Sequence, residues 1–441
     1  MVVGFLFLFF FFSSPILTHS SPSLFDYQCG LTTAGWSIPP PPEDVNLKQV
    51  IAVIRHGDRT AWNGSSCWPG DDYIWSCDLV HGQMPVDTKV EKERGTAGRI
   101  FEKIFLPTNE EMHGNCSVAQ LTTIGYKQHL ANGGSLNSAY VKNGFLTPSL
   151  DPSQVFIRSD DIPRTILSAQ SLMDGMFPQD GKCEDNGDDG CTQFVPLYTR
   201  DTMYDNMEAN ADLCPKVTEY QTQFYESTTW LNHLKTTIEV VNNISNTIGF
   251  NISDNFEHFC DCLITHYCHN ASWPDKLTED LALSGLDEMV WMSYNSLKYP
   301  SVQENARAGI GFLLKDIWKN FNRSVNGEDY EKFSLYSGHD TTLIQLLVAL
   351  GIDEGIWPPY SSMMLFELYS TSTAPAAVRV LYNGKIKTLP FCNGQELCSY
   401  ETFSNYLSTV TPPDDYQKFC QNYTNAIIFT DKPLELSPNH I

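Results

Sequence analysis

A histidine stands between two arginines where an apolar run ends, in Gln49-Val-Ile-Ala-Val-Ile-Arg55-His56-Gly57-Asp58-Arg59-Thr60. Paired guanidiniums make a strong anion site, because their planar forks match phosphate oxygens two at a time. They also disfavour positive charge on the imidazole beside them and so lower its pKa. A neutral imidazole held against a bound phosphoryl group is a nucleophile. Arg158 closes a second short apolar run, Gln154-Val-Phe-Ile-Arg158, and His339-Asp340 follows a third, Phe333-Ser-Leu-Tyr-Ser337. Nucleophile, guanidinium clamp, second imidazole and carboxyl acid are the parts a phosphomonoesterase needs. Each also has a plainer use. Arg158 can pair with Asp160, Asp340 can cap the helix that follows it, and His339 can be a satisfied core histidine.

The elements that would carry these groups are legible as periodicity. Val50 to Ile54 is an unbroken apolar run and reads as a strand buried on both faces, the kind found in a parallel sheet. Gly57 predicts a tight turn directly after it. The carboxyl edge of such a sheet is where open α/β folds bind ligands. A helix opens near Leu121 with Thr122 or Thr123 as N-cap. The helix Arg164 to Met176 has Asp160 or Asp161 as its cap and Pro163 in its first turn. Further helices are predicted over Trp230 to Ile248, over Asn305 to Phe321 as one amphipathic element, and over Thr341 to Leu350. Gly351 ends the last of these. Met363 to Tyr369 and Ala377 to Tyr382 read as a meander at the sheet edge, and Thr60 to Gly114 as an irregular excursion.

Composition restricts the function classes. The 441 residues carry 28 Lys and Arg against 52 Asp and Glu, a net charge of −24, which argues against nucleic acid as a partner. Val2 to Phe12 is apolar but too short to span a membrane comfortably, and residues 1–20 read as a signal peptide. No Lys or Arg precedes that run, so a retained anchor, as in a Golgi membrane protein, is the alternative. Thirteen cysteines favour disulfides, and the odd number leaves one thiol unpaired or bridging chains. Seven sequons, at Asn63, Asn115, Asn243, Asn251, Asn270, Asn322 and Asn422, fit a glycosylated, secreted or lumenal chain. Asp180 to Gly190 is an acidic loop without calcium-ligand spacing, stapled by Cys183 and Cys191. His258, Cys260, Cys262, His266, Cys268 and His269 crowd together, and in a secreted chain disulfides are favoured there over zinc. Cys392 and Cys398 flank a Gly-containing turn and are expected to pair locally.

Arg55-His-Gly-Asp-Arg-Thr60, Leu121-Thr-x-x-Gly125-x-x-Gln128, Ile157-Arg-Ser-x-Asp-x-x-Arg-Thr165, His339-Asp340 and Pro358-Pro-Tyr-x-x-x-x-x-Phe366-Glu-Leu368 together resemble the histidine acid phosphatases. The ordered match runs from about Leu47 to Cys420 and is sparse from 179 to 294. His129-Leu-x-Asn-Gly133, Cys268-His-Asn-Ala-Ser272, Leu335-Tyr-Ser337 and Arg379-Val-Leu-Tyr-Asn-Gly384 are similar to the 2-phosphoxylose phosphatase branch. The resemblance implies an α/β fold: a mixed, mostly parallel, phosphoglycerate-mutase-like sheet flanked by helices. Its two parts, 45–178 and 295–425, would be separated by a mainly helical cap at 179–294. It implies His56 as a nucleophile forming phosphohistidine and Asp340 as proton donor. Arg55, Arg59, Arg158 and His339 would hold the phosphoryl oxygens. It implies no metal and no cofactor, a small phosphomonoester or phosphorylated glycan as substrate, and a Cys214–Cys420 disulfide. A homodimer is compatible with it. Ala61, where the family often has proline, and Met363-Met364 depart from the pattern. The alternatives are a mutase-like phosphotransferase and a catalytically inactive extracellular binding protein.

Overall fold

The run around Ile51 forms the middle of β1 (Val45–Arg55), every residue of which from Gln49 onward is buried. The computed structural model describes residues 24–31, 34–62, 64, 66–77, 112–178, 195–371 and 376–420. The N-terminal leader, the loop between Cys183 and Cys191, and the sequons at Asn63 and Asn422 lie outside the described residues. The remaining strands are β2 (Val155–Ser159), β3 (Phe333–Gly338), β4 (Met363–Thr371), β5 (Ala377–Tyr382), β6 (Lys385–Lys387) and β7 (Cys398–Ser399). They form one sheet in the order β2-β3-β1-β4-β5-β6, with β7 paired to β5. β1, β2, β3 and β5 point one way, and β4, β6 and β7 the other. The meander of β4, β5 and β6 exists, but its first strand is not at the edge. Met363 to Tyr369 is buried throughout and pairs with β1 inside the sheet.

Alternation along β1 fills two cores. Val50, Ala52 and Ile54 pack against α2 (Thr123–Leu136) and α3 (Pro163–Met176) on one face. Ile51 and Val53 pack on the other face against α9 (Gly311–Asn326), α10 (Asp340–Ala349) and α11 (Tyr400–Val410). Burial on both sides explains why the run is continuous rather than alternating. The expected single helix from Asn305 to Phe321 is two: α8 (Val302–Ala308) ends at Gly309, whose φ −112° and ψ −110° are not helical, before α9 begins. A Cβ on Gly311 would lie 2.3 Å from the Val410 carbonyl oxygen, so the chain turns here against the end of α11. The apolar spacing crosses the break unaltered because both halves, Ala306 in one and Leu313 and Ile317 in the other, face the same core.

Between the two sheet-forming parts lie α4 (Lys216–Glu226), α5 (Thr228–Ile248), α6 (Phe256–Cys268) and α7 (Glu279–Leu297). Ile244, Phe259, Leu263 and Leu286 share a core with Phe25 of α1 (Leu24–Gln28), Trp68 and Tyr360. Two disulfides, Cys29–Cys268 and Cys67–Cys262, tie α6 to the segments on either side of the Arg-His-Gly motif. Cys262 and Cys268 of the His/Cys-rich stretch are thus both engaged with distant partners. Cys77–Cys116, Cys214–Cys420 and Cys392–Cys398 complete the pairs among the described residues, and Cys260 is a buried free thiol. Closing loops of 239, 195 and 206 residues should each stabilise the fold by up to about 5 kcal/mol on the chain-entropy model, with measured values often smaller. Non-reducing peptide mapping should return these pairs, with Cys260 alkylated only after unfolding. Recovery of Cys67 or Cys268 as a thiol in the folded protein would contradict the tethering of α6.

Candidate active site

β1 ends between two neighbours: His56 N–H donates to the Gly338 carbonyl at the end of β3, and Arg55 N–H to Ser362 beside β4. Three strand ends therefore meet at one edge. Gly57 is required there by space. A Cβ would sit 2.4 Å from the Gly125 carbonyl oxygen, because the loop lies directly on the first turn of α2. Gly57 does not use a positive φ, so space rather than backbone conformation calls for glycine here. Thr122 is the N-cap of α2, its hydroxyl accepting from Gly125 N–H, and it also donates to Asp58.

His56 is buried, and its Nδ1 lies 2.8 Å from the Gly57 carbonyl. A carbonyl only accepts, so Nδ1 carries the proton and Nε2 keeps its lone pair. Burial holds the His56 pKa well below 6.5, reinforced by Arg164, Arg55 and Arg59. Arg55 pairs with Asp340 at 2.8 Å, donates to the Pro358 carbonyl and lies 4.2 Å above the Tyr360 ring. Arg59 makes a two-pronged pair with Asp261 of α6, at 2.9 and 3.0 Å. Arg164 approaches His339 Nδ1 at 3.3 Å, and His339 Nε2 meets Asp160 at 2.6 Å. An arginine can only donate, so Nδ1 accepts and Nε2–H donates to Asp160. Both ring nitrogens of His339 are thereby engaged with protein groups, and its ring centroid lies 5.6 Å from that of His56. The Nε–H groups of Arg55, Arg59 and Arg164, whose charges all act on His56, are buried without a partner, as is that of Arg158 outside the cluster. Buried donors left unpaired are costly unless something is there to accept from them. The cluster suits an oxyanion seated over His56 Nε2.

Three readings of the sequence are corrected. Arg158 does not face this cluster. It lies level with Tyr336 and Val53 in the sheet, three residues, or roughly 10 Å, short of His56. Its guanidinium pairs with Asp205 and Asp316 on the α9 side. Arg164, in the first turn of α3, lies against His339 and acts on His56 instead. The cap of α3 is also different. Ile162 occupies the N-cap position without a side-chain bond, while Asp160 is turned to His339. Asp340 is not an N-cap either. His339 holds that position and Asp340 is the first helical residue, its Oδ1 accepting from Thr341 N–H.

Asp340 Oδ2 also accepts from Trp357 Nε1 at 3.2 Å. Burial pushes the Asp340 carboxyl upward, but Arg55 and Arg59 outweigh it and hold the value at about 2. Asp340 is therefore ionised in the unliganded site. Residues to which the sequence analysis gave no role complete the frame. His129 Nε2 holds the Arg55 carbonyl at 2.9 Å, Gln128 accepts from Asp58 N–H, and Asp58 meets His269 at 2.7 Å.

The sequence pattern of the Histidine phosphatase superfamily (branch 2) matches residues 46–383. The chain belongs to that superfamily. Counting factor 60 of Dictyostelium discoideum is 28% identical over 386 residues, covering 87% of this phosphatase and 90% of that protein. Prostatic acid phosphatase of Rattus norvegicus is 30% identical over 306 residues, 67% of this chain and 78% of the relative. Lysosomal acid phosphatase of Xenopus laevis is 28% identical over 400 residues, 88% and 81% of the two chains. The Hafnia alvei phytase in complex with tartrate superposes with a TM-score of 0.56 at 13% identity, covering 85% of this phosphatase and 99% of the phytase, and so shares its fold. The family's chemistry is phosphomonoester hydrolysis.

One pH effect on stability follows from the frame of this phosphatase. Burial works to lower the His269 pKa, but the Asp58 carboxylate outweighs it and holds it above 6.5. That contribution is fully present below the unfolded value and is lost as pH rises through the folded one. His129 works the other way: burial holds it down to about 4, so its contribution is present above 6.5 and fades as pH falls. The difference between wild type and His269→Gln isolates the first. The variant should lose more stability at about pH 5 than at about pH 8, read as urea midpoints. Equal losses would mean that His269 is neutral against Asp58.

Proposed function

We propose that this phosphatase hydrolyses phosphomonoesters through a phosphohistidine at His56, under a cap formed by the helices between 179 and 294. The observation that carries the reading is His56 itself: buried, neutral, with its proton on Nδ1 and the charges of Arg164, Arg55 and Arg59 acting on it. The phosphoryl oxygens accept from Arg55, Arg59 and Arg164, and His56 Nε2 attacks phosphorus in line with the ester oxygen. The P–O bond to the alcohol breaks as Asp340 delivers a proton to that oxygen. Water then attacks the phosphohistidine, gives its proton to the Asp340 carboxylate, and inorganic phosphate leaves. His339, held by Asp160, keeps Arg164 in place through its Nδ1. The substrate is a small phosphomonoester or a phosphorylated glycan. Five disulfides among the described residues and the lysosomal and prostatic relatives support a secreted or lysosomal site of action. Exposed Asn115, Asn243, Asn251 and Asn270 are better placed as glycan acceptors than Asn322, which is half-buried.

The arginine assignment gives the test. Arg164→Ala should lower kcat/KM for p-nitrophenyl phosphate by about 10²–10³. Arg158→Ala should instead leave kcat of the folded protein unchanged. It should lower stability by about 3–5 kcal/mol, because it strands the buried Asp205 carboxylate. An Arg158 variant that folds normally and loses activity as Arg164→Ala does would reverse the two roles.

A further inference from the structure

Asp340 must touch the ester oxygen, so the alcohol has to continue into whatever opens beside it. A cleft of 350 Å³ lies next to it: Asp340 and His56 do not line it, but Thr341, which follows Asp340, and Trp357, which donates to Asp340, do. Its walls come from α4, α7 and α10. Tyr225, Glu257 and Met292 line both this cleft and a second cavity of 530 Å³, so the two adjoin. The second cavity reaches Trp62, which is 45% exposed just past the Arg-His-Gly motif. The volumes are those of sites for drug-sized ligands, about 300–1,000 Å³ each.

The lining chemistry is uneven in charge. Glu208, Glu257 and Asp254 contribute carboxylates, and neither cavity is lined by a lysine or an arginine. The first cleft adds amides and hydroxyls, among them Gln221, Asn305 and Ser296. The second adds exposed aromatic faces, Trp62 and Tyr225, with Trp230 beside Tyr225 at 5.1 Å between ring centroids. Carboxylates and amides bond to hydroxyls, and flat aromatic faces stack on the apolar faces of sugar rings. A leaving group with further phosphates would meet carboxylates with no cation to offset them, a repulsive element against that class.

Resting on the phosphohistidine reading above, we infer that this groove is a leaving-group site for monophosphorylated carbohydrates of more than one ring, and that it rejects polyphosphorylated alcohols. Trp62 is the distal stacking platform and Glu257 the charge filter at the junction. The substrates that test this are trehalose 6-phosphate, glucose 6-phosphate and inositol hexakisphosphate, with p-nitrophenyl phosphate as the control for chemistry. Wild type should favour trehalose 6-phosphate over glucose 6-phosphate in kcat/KM by about fivefold to tenfold. Trp62→Ala should erase that preference, chiefly through KM. Inositol hexakisphosphate should be at least about a hundredfold poorer than glucose 6-phosphate, and Glu257→Lys should narrow that gap by about tenfold or more. No preference for the disaccharide, equal losses with both sugars in Trp62→Ala, or efficient hydrolysis of the hexakisphosphate by wild type would overturn the groove assignment. Failure to hydrolyse p-nitrophenyl phosphate would instead overturn the phosphatase reading beneath it.

Discussion

His56→Ala should abolish ester hydrolysis, with a fall in kcat on the order of 10⁵–10⁶, while the folded protein still binds inorganic phosphate. The two halves of that expectation have separate causes. Nε2 of His56 is the only atom the site offers as nucleophile in the proposed step, and alanine has no substitute for it. Phosphate binding rests on Arg55, Arg59 and Arg164. Those arginines are held by Asp340, Asp261 and His339 rather than by His56. Removing the imbedded imbalance of a crowded imidazole should also leave the clamp in place, because Arg55 stays fixed by Pro358 and Tyr360. Circular dichroism and phosphate titration by calorimetry check the fold and the clamp, and stopped assays check the rate. A variant that retains a tenth of wild-type kcat would remove His56 from the reaction.

Asp340→Asn should lower kcat by about 10²–10⁴ for esters of alkyl alcohols and by far less for an aryl ester. Asparagine keeps the Asp340 shape and can still accept from Thr341 N–H, so the start of α10 should survive. It cannot deliver a proton. The carboxyl is held at about 2 in the free protein, so it needs a bound phosphate dianion to raise its pKa before it can act as an acid. Activity is then present below the raised value and lost as pH rises through it. A phenolate leaves without much protonation, which is why the aryl ester is the control. Equal losses for both ester types would return Asp340 to a purely electrostatic partner of Arg55.

The sequence carried the centre of the site more fully than its rim. Val50 to Ile54 announced a doubly buried strand because each residue fills one of two cores, and Arg55-His56 follows it without a gap. Arg158 misled because a strand-end arginine looks equivalent to Arg55 along the chain. Register decides otherwise, and register depends on pairing with Val53 and Tyr336, which no local pattern reports. Arg164 lay inside the quoted Arg-Thr motif, yet its reach to His339 becomes visible only once α3 is placed. Asp261 is 202 residues from its partner Arg59, inside a helix read for its cysteines, and nothing in its neighbours marks it. The break at Gly309 was hidden for a different reason: the same apolar face continues through it.

The phosphohistidine is the central claim, and trapping it is the most direct measurement. The protein is mixed with an ester carrying radioactive phosphorus, quenched in denaturant within milliseconds, digested and mapped. The account predicts a base-stable, acid-labile label on the peptide that contains His56, absent in His56→Ala and accumulating when dephosphorylation is slow. A label on an aspartate, serine or cysteine, or rapid turnover with no covalent label at any quench time, would contradict it.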